Sequence, residues 1–212
     1  MPSEKARSIV YIDGLNLYYG AVKGTQYKWL NLEELCRRLR KDDEIVCVRY
    51  FTSPVHGPAG ERQAAFLHAL STFQLVKTVL GKFKSKSVEC THPKCKYEGN
   101  RFFEGLEEKR TDVNIAVYML DDAQQDRCDK FVLISGDSDL VPAIQMIKTR
   151  FPQKKIIVYV PDRSEEEDRR ASELQQIAHM GRKLPLALLP HCQLPDQLTD
   201  RDGRVIRKPA TW

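Results

Sequence analysis

Four aspartates stand where chemistry could be done. Asp137 and Asp139 follow an apolar run across a single glycine, in F131-V-L-I-S-G-D-S-D-L-V-P142. Asp13 closes another apolar run, Ser8-Ile-Val-Tyr-Ile12, with Asn16 three residues on, one helical turn away and on the same side. Asp112 opens a helical stretch after Glu107-Glu-Lys-Arg-Thr111. Carboxylates brought together repel, each anion raising the cost of ionising the next. A hard cation relieves that repulsion. Mg²⁺ and Mn²⁺ take oxygen ligands and keep several waters when a few carboxylates hold them. Metal-bound water is a better nucleophile, and the metal stabilises charge on a reacting phosphodiester. Each aspartate also has a plainer alternative. An Asp after a strand caps the next helix, as Thr111-Asp112 could, and an Asp beside a glycine closes an Asx-turn. The case for a metal rests on three separate segments that each end in an Asp.

That case needs elements that bring the segments together. The sequence predicts strands at Ser8–Ile12, Glu44–Phe51, Leu75–Phe83, Lys130–Ser135 and Lys155–Val160, with a last short one at Leu184–Leu189. Helical spacing falls over Leu15–Val22, Glu61–Phe73, Asp112–Asp122, Leu140–Phe151 and Ala171–Met180. Asn31, with Glu34 three residues later, has the form of a capping box. Pro54–Gly60 reads as a loop, and residues 84–108 as an irregular insertion. A charge run, Ser164-Glu-Glu-Glu-Asp-Arg-Arg170, precedes the last helix. Strands alternating with helices predict an α/β fold of parallel βαβ units, with strands apolar on both faces because helices cover both. In such sheets ligands bind beyond the carboxyl ends of the strands, where strand order reverses. Asp13, Asp137 and Asp139 follow strands and so belong to that end. The expected organisation is one domain over residues 1–190 and a polar tail over 191–212.

The 212 residues suffice for one domain with a substantial apolar core. A content of 42% hydrophobic and 30% charged residues describes a globular chain rather than a disordered one. No apolar run approaches the roughly 20 residues of a membrane span. The N-terminus enters a strand without a signal-peptide core, so the expected setting is cytoplasmic, with no membrane partner. Of the six cysteines, four fall in apparent core elements, and they are expected to be reduced and to act as small hydrophobes.

The blocks Y11-I-D-G-L-N-L, E107-E-K-R-T-D-V-N-I-A-V and L133-I-S-G-D-S-D-L, in this order over residues 8–160, resemble the NYN domain family. This is a branch of the PIN-like nucleases with LabA-like bacterial members. The resemblance implies a three-layer PIN-like α/β fold and Mg²⁺- or Mn²⁺-dependent hydrolysis of RNA. It places Asp13, Asp112 and Asp137 at the metal-binding acidic positions and Asp139 at the further acidic one. Asn16 matches the asparagine of the first block. Ser135 matches the small hydroxyl residue of the third, which could contact a ligand or water.

Residues 77–96 carry six lysines against one acid, Glu89, a balance of +5 that equals the formal charge of the whole chain. Lys82, Lys84 and Lys86 alternate, so on a strand they point the same way. With Phe83, Tyr97, Phe102 and Phe103 nearby, the stretch suits single-stranded RNA, held by phosphate neutralisation and base stacking. It equally suits a solvated strand edge whose lysines deter aggregation. Cys90-Thr-His92-Pro-Lys-Cys95 offers two thiols and an imidazole to Zn²⁺, but structural zinc usually takes four ligands and no fourth is near. A flexible loop with free thiols is the favoured reading there.

These residues lead to a metal-dependent ribonuclease. Asp13, Asp112 and Asp137 hold the metal, Asp139 assists directly or through water, and Asn16 orients phosphate or a ligand water. Lys109, with Lys82, Lys84 and Lys86, contacts phosphate. The rival is an NYN module that binds RNA or a protein partner without turnover. A homodimer is compatible with either. A nucleotide-binding Rossmann domain is excluded by the absence of G-x-G-x-x-G and of G-x-x-x-x-G-K-[ST]. A phosphatase with Asp13 as nucleophile would need an acid at position 15, where Leu15 stands.

Overall fold

The computed structural model describes residues 5–92, 95–164 and 169–212. Lys94 and most of the 164–170 charge run lie outside them. The chain runs β1 (Arg7–Asp13), α1 (Gly14–Leu17) with a π-turn (Tyr18–Val22), α2 (Leu32–Leu39), β2 (Glu44–Thr52), α3 (Gly57–Ser71) and β3 (Val76–Leu80). A hairpin follows, β4 (Lys82–Glu89) and β5 (Phe102–Lys109). Then come α4 (Thr111–Gln124), β6 (Lys130–Ile134), a 3-10 turn (Ser138–Leu140), α5 (Val141–Arg150), β7 (Lys155–Val160), α6 (Arg169–Ile177) and β8 (Met180–Lys183). A second 3-10 turn (Leu186–His191) and a small hairpin, β9 (Gln197–Thr199) and β10 (Val205–Arg207), complete it.

Six strands form one sheet in the order β3-β2-β1-β6-β7-β8. Every neighbouring pair in it is parallel. Alternate residues of β1 feed two cores. Val10 and Ile12 pack with Trp29, Leu35, Phe66 and Leu70 beneath α2 and α3. Ile9 and Tyr11 pack with Ile115, Met119, Ile144 and Leu174 beneath α4, α5 and α6. Burial on both faces is why β1 and β6 read as unbroken apolar runs. The result is the expected three-layer α/β architecture. No helix among the described residues is long and apolar enough to cross a membrane.

Several local expectations change. Asn31 does cap α2, its Oδ1 accepting from the Glu34 amide at 3.0 Å. The Asn31 amide donates instead to the Cys192 carbonyl at 2.7 Å, so Glu34 is left to pair with Arg38. The predicted loop at 54–60 ends in the first turn of α3, where Pro58 loses no hydrogen bond and has its φ preset. The predicted last strand, 184–189, falls largely in a 3-10 turn that Pro185 precedes and that contains Pro190, neither of which has an amide to give a ladder. The edge position goes to Met180–Lys183, and Leu184 and Leu189 are buried from outside the sheet. The insertion expected to be irregular over 84–108 is largely the β4–β5 hairpin. Residues 194–212 fold back: Leu194 and Ile206 are buried, the Trp29 indole donates to the Pro195 carbonyl, and Trp212 rests on Trp29 and Phe66.

Candidate active site

Strand order reverses between β1 and β6, the two central strands. Their carboxyl ends therefore define the crevice where a doubly wound sheet binds ligand. Asp13 ends β1, and Ser135, Gly136 and Asp137 leave β6 beside it. Asp13 falls on the Ile9–Tyr11 face, the face covered by α4, whose second residue is Asp112.

Asp13 is 2% exposed and fully engaged. Its Oδ1 accepts from the Leu15 and Asn16 amides at 3.1 and 3.0 Å. Its Oδ2 accepts from Asn16 Nδ2 at 2.6 Å and from Ser135 Oγ at 3.1 Å. Burial pushes the Asp13 carboxyl above its usual range; these hydrogen bonds pull it back in part, and Asp137 pushes it further up. Ser135 Oγ also accepts from the Asp137 amide, and Asp137 Oδ1 accepts from the Asp139 amide, capping the 3-10 turn. The capping alternative is thus realised at Asp13 and at Asp137.

It is not realised at Asp112. The cap position of α4 is Arg110, in the left-handed region at φ 84°, with no side-chain cap. Thr111 turns its hydroxyl to Glu108 Oε1 at 2.5 Å. Asp112 receives no hydrogen bond among the described residues, and its carboxyl is pushed up to about 6. Burial is the largest cause, followed by the charges of Asp13, Asp137, Glu108 and Asp139. Asp139, by contrast, is exposed.

Glu108 is the acid that sequence reasoning left out. Its Oε1 accepts from Ser53 Oγ, beyond β2, at 2.6 Å and from Thr111 Oγ1. The signal was its place four residues before Asp112, which becomes meaningful only once β5 is known to enter α4 through a single left-handed residue. Gly81 lies against this cluster: a Cβ there would be 2.5 Å from both Glu108 Oε1 and Ser53 Oγ.

The lysines divide along the hairpin. Lys82 and Lys109 face each other at its base, next to Glu108. Lys84 is opposite Glu107, and Glu107 pairs with Lys109 at 2.8 Å and with Lys86 at 3.5 Å. At about 3.4 Å per residue the strand carries Lys86 roughly 14 Å from Lys82, outward along an arm. Phe102 and Phe103 lie at the far end and are more than half exposed.

Among the described residues no three His, Cys, Asp or Glu side chains are gathered as a ready ligand set, at the aspartates or at Cys90, His92 and Cys95. The donor set still suits a hard cation. Asp112 brings a carboxylate with no protein donor into the field of four others, and Asp137 keeps lone pairs beyond its cap; Asp13, with two donors on each oxygen, would exchange one of them for the ion. Zinc has less to recommend it, since Cys90 and Cys95 are free thiols near a hairpin tip without a fourth donor.

A family model described as the NYN domain matches residues 7–180. A curated relative, the 6-hydroxy-3-succinoylpyridine 3-monooxygenase HspA of Pseudomonas putida, is 29% identical over 244 residues, covering all of this chain and 77% of its own length. Among solved structures, a protein of unknown function from Vibrio parahaemolyticus matches with a TM-score of 0.56 over 87% of this chain and 96% of its own, at 18% identity. That last likeness speaks to fold alone.

Proposed function

This chain belongs to the NYN domain family, within the PIN-like nuclease superfamily, and on that premise we propose that it is a divalent-metal-dependent ribonuclease. The observation that carries the reading is Asp112: a half-buried carboxylate with no hydrogen bond among the described residues, in the repulsive field of Asp13, Asp137, Glu108 and Asp139 near the carboxyl ends of the strands where the sheet reverses. Asp13, Asp112 and Asp137 would hold Mg²⁺ or Mn²⁺, with Asp139 assisting. Such an ion supplies an activated water and charge stabilisation on the scissile phosphodiester. The chain's own residues fix the geometry. Asn16 and Ser135 hold the Asp13 carboxylate in one orientation. Lys82 and Lys109 lower the negative potential at the cleft mouth, and Lys84 and Lys86 continue a cationic track for single-stranded RNA.

End-labelled RNA incubated with purified protein and Mn²⁺, with and without EDTA, tests this. The expected result is cleavage that EDTA stops and that Asp137→Asn abolishes in a protein that stays folded. RNA bound but never cut would leave an NYN module without turnover. The match to the Pseudomonas putida monooxygenase, which spans all of this chain and 77% of the relative, favours one other reading, in which the chain acts on a small aromatic acid. Intact RNA together with turnover of such a compound would select it.

A further inference from the structure

A cavity of about 390 Å³ lies on the opposite face of the sheet from Asp13, between the π-turn, α3 and the base of the β4–β5 hairpin. We propose that it binds a planar aromatic ring carrying an anionic group, a carboxylate or a phosphate. The proposal does not rest on the nuclease reading.

The walls supply the aromatic half of the argument. Tyr18, Tyr19, Tyr50, Phe66, Phe83 and Trp212 all line the cavity. Phe66 is held against Tyr50 and Trp212 at ring-centroid distances of 6.1 and 5.7 Å, so this part of the lining is fixed before a ligand arrives. Pockets of this size with aromatic walls and a few polar groups are the usual form of a small-molecule site. Offset or edge contacts between rings contribute about 0.5–1.5 kcal/mol beyond area burial.

The charge supplies the other half. Lys28 and Arg62 line the same cavity, and neither has an ion pair among the described residues. No Asp or Glu lines it. Two cations without an ion pair on a wall that carries no acid favour an anion, and a guanidinium matches carboxylate or phosphate with two parallel hydrogen bonds. Gln63 is held to Thr52 Oγ1, the Ser53 carbonyl and the Val55 amide, so this polar part of the wall is fixed by the protein itself.

The position ties the cavity to the carboxylate crevice. Gly14, which follows Asp13, and Leu15 form part of its wall, and Thr52 precedes Ser53, the partner of Glu108. The ligand chemistry has two sources, a nucleotide unit of bound RNA or a free aromatic acid, and the test distinguishes them.

Titration calorimetry in EDTA separates this site from any metal centre. The probes are uridine 5′-monophosphate against uridine, and pyridine-3-carboxylate against pyridine-3-carboxamide. Saturable binding of either anion, at least tenfold tighter than its neutral congener, is the expected result, and whichever anion binds names the source. Arg62→Ala and Lys28→Ala should each weaken binding about tenfold, whereas Asp137→Asn should leave it unchanged. Arg62→Gln, checked by thermal melting, serves if the alanine variant does not fold. Heats absent for all four probes, neutral congeners that bind as tightly, or cation variants that bind like the parent would each overturn the proposal.

Discussion

The Asn16 side chain bridges Asp13 and Gly136: its Nδ2 donates to Asp13 Oδ2 at 2.6 Å, and its Oδ1 accepts from the Gly136 amide at 3.1 Å. One amide therefore fixes the exit of β1 against the exit of β6. Replacing it leaves a buried carboxylate oxygen short of a donor and a backbone amide unpaired. Asn16→Ala should lower RNA cleavage by about a hundredfold, the scale of a 1 Å misplacement at a reacting centre. A kcat measurement beside a thermal melt checks it. Unchanged cleavage in the folded variant would show that the bridge is merely structural.

Asp112 and Asp13 should respond differently to loss of charge. Asp13 is hydrogen-bonded on both oxygens, whereas Asp112 meets repulsion with no donor to offset it. In metal-free buffer Asp112→Asn is therefore expected to raise stability, by about 1 kcal/mol after allowance for solvent screening, or about 2–4 °C in Tm. Saturating Mn²⁺ should raise the parent's Tm by mass action on the native state. The variant should lose most of that rise. A variant that melts lower than the parent without metal, yet gains as much from Mn²⁺, contradicts the role given to Asp112.

How much of this the sequence could reveal follows from which interactions are local. The apolar runs of β1 and β6 and the Asp after each were legible, because a strand buried on both faces leaves an unbroken pattern. Asn31 was legible as a cap, but the bond from its own amide to Cys192 was not, since that partner is 161 residues away. The β4–β5 hairpin was hidden because both strands are largely exposed, with polar and charged residues on either face. Glu108 was hidden with it. The bland reading of the aspartates held for Asp13 and Asp137, which cap the turns that follow them, and these caps do not exclude the chemical role.

A buried charge network on the α4 side of the sheet should dominate acid sensitivity. Asp122 accepts from Tyr11 Oη at 2.6 Å, from Arg49 at 2.6 and 2.8 Å and from Arg127 at 2.7 Å. Burial alone would raise its pKa, but these donors outweigh it and the net shift is downward. Asp43 is also lowered, with Arg40, Lys130 and Ser8 outweighing its burial. A carboxylate depressed in the folded state contributes stability above its unfolded pKa of about 3.9 and loses it as pH falls through the folded value. Asp13 and Asp112 are raised and act in the opposite sense, so stability should hold or rise slightly between pH 6 and about 4 before the acid limb. Urea midpoints from pH 7 to 2.5 measure this. Asp122→Ala should cost ~3–5 kcal/mol at pH 7, because it leaves the largely buried Arg49 guanidinium without its carboxylate, whereas Arg127 keeps Asp121. A cost under 1 kcal/mol would mean that the network adds little.

The lysine arm makes a prediction that separates phosphate contact from strand solubility. Phosphate neutralisation releases counterions, so the slope of log K against log salt reports how many lysines engage single-stranded RNA, at about 0.7 per contact. Lys82 and Lys84 have no ion pair among the described residues, whereas Lys86 shares Glu107 with Lys109. Measured in the Asp137→Asn background, where RNA is expected to bind uncut, Lys82→Ala and Lys84→Ala together should flatten the slope by about 1.4. Lys86→Ala alone should change it by less, since its charge is already partly met. If the arm is only a solvated edge, the double variant keeps the parent's slope and instead aggregates more readily, because those lysines would be blunting an exposed strand. Salt titration and light scattering on the same preparations distinguish the two roles.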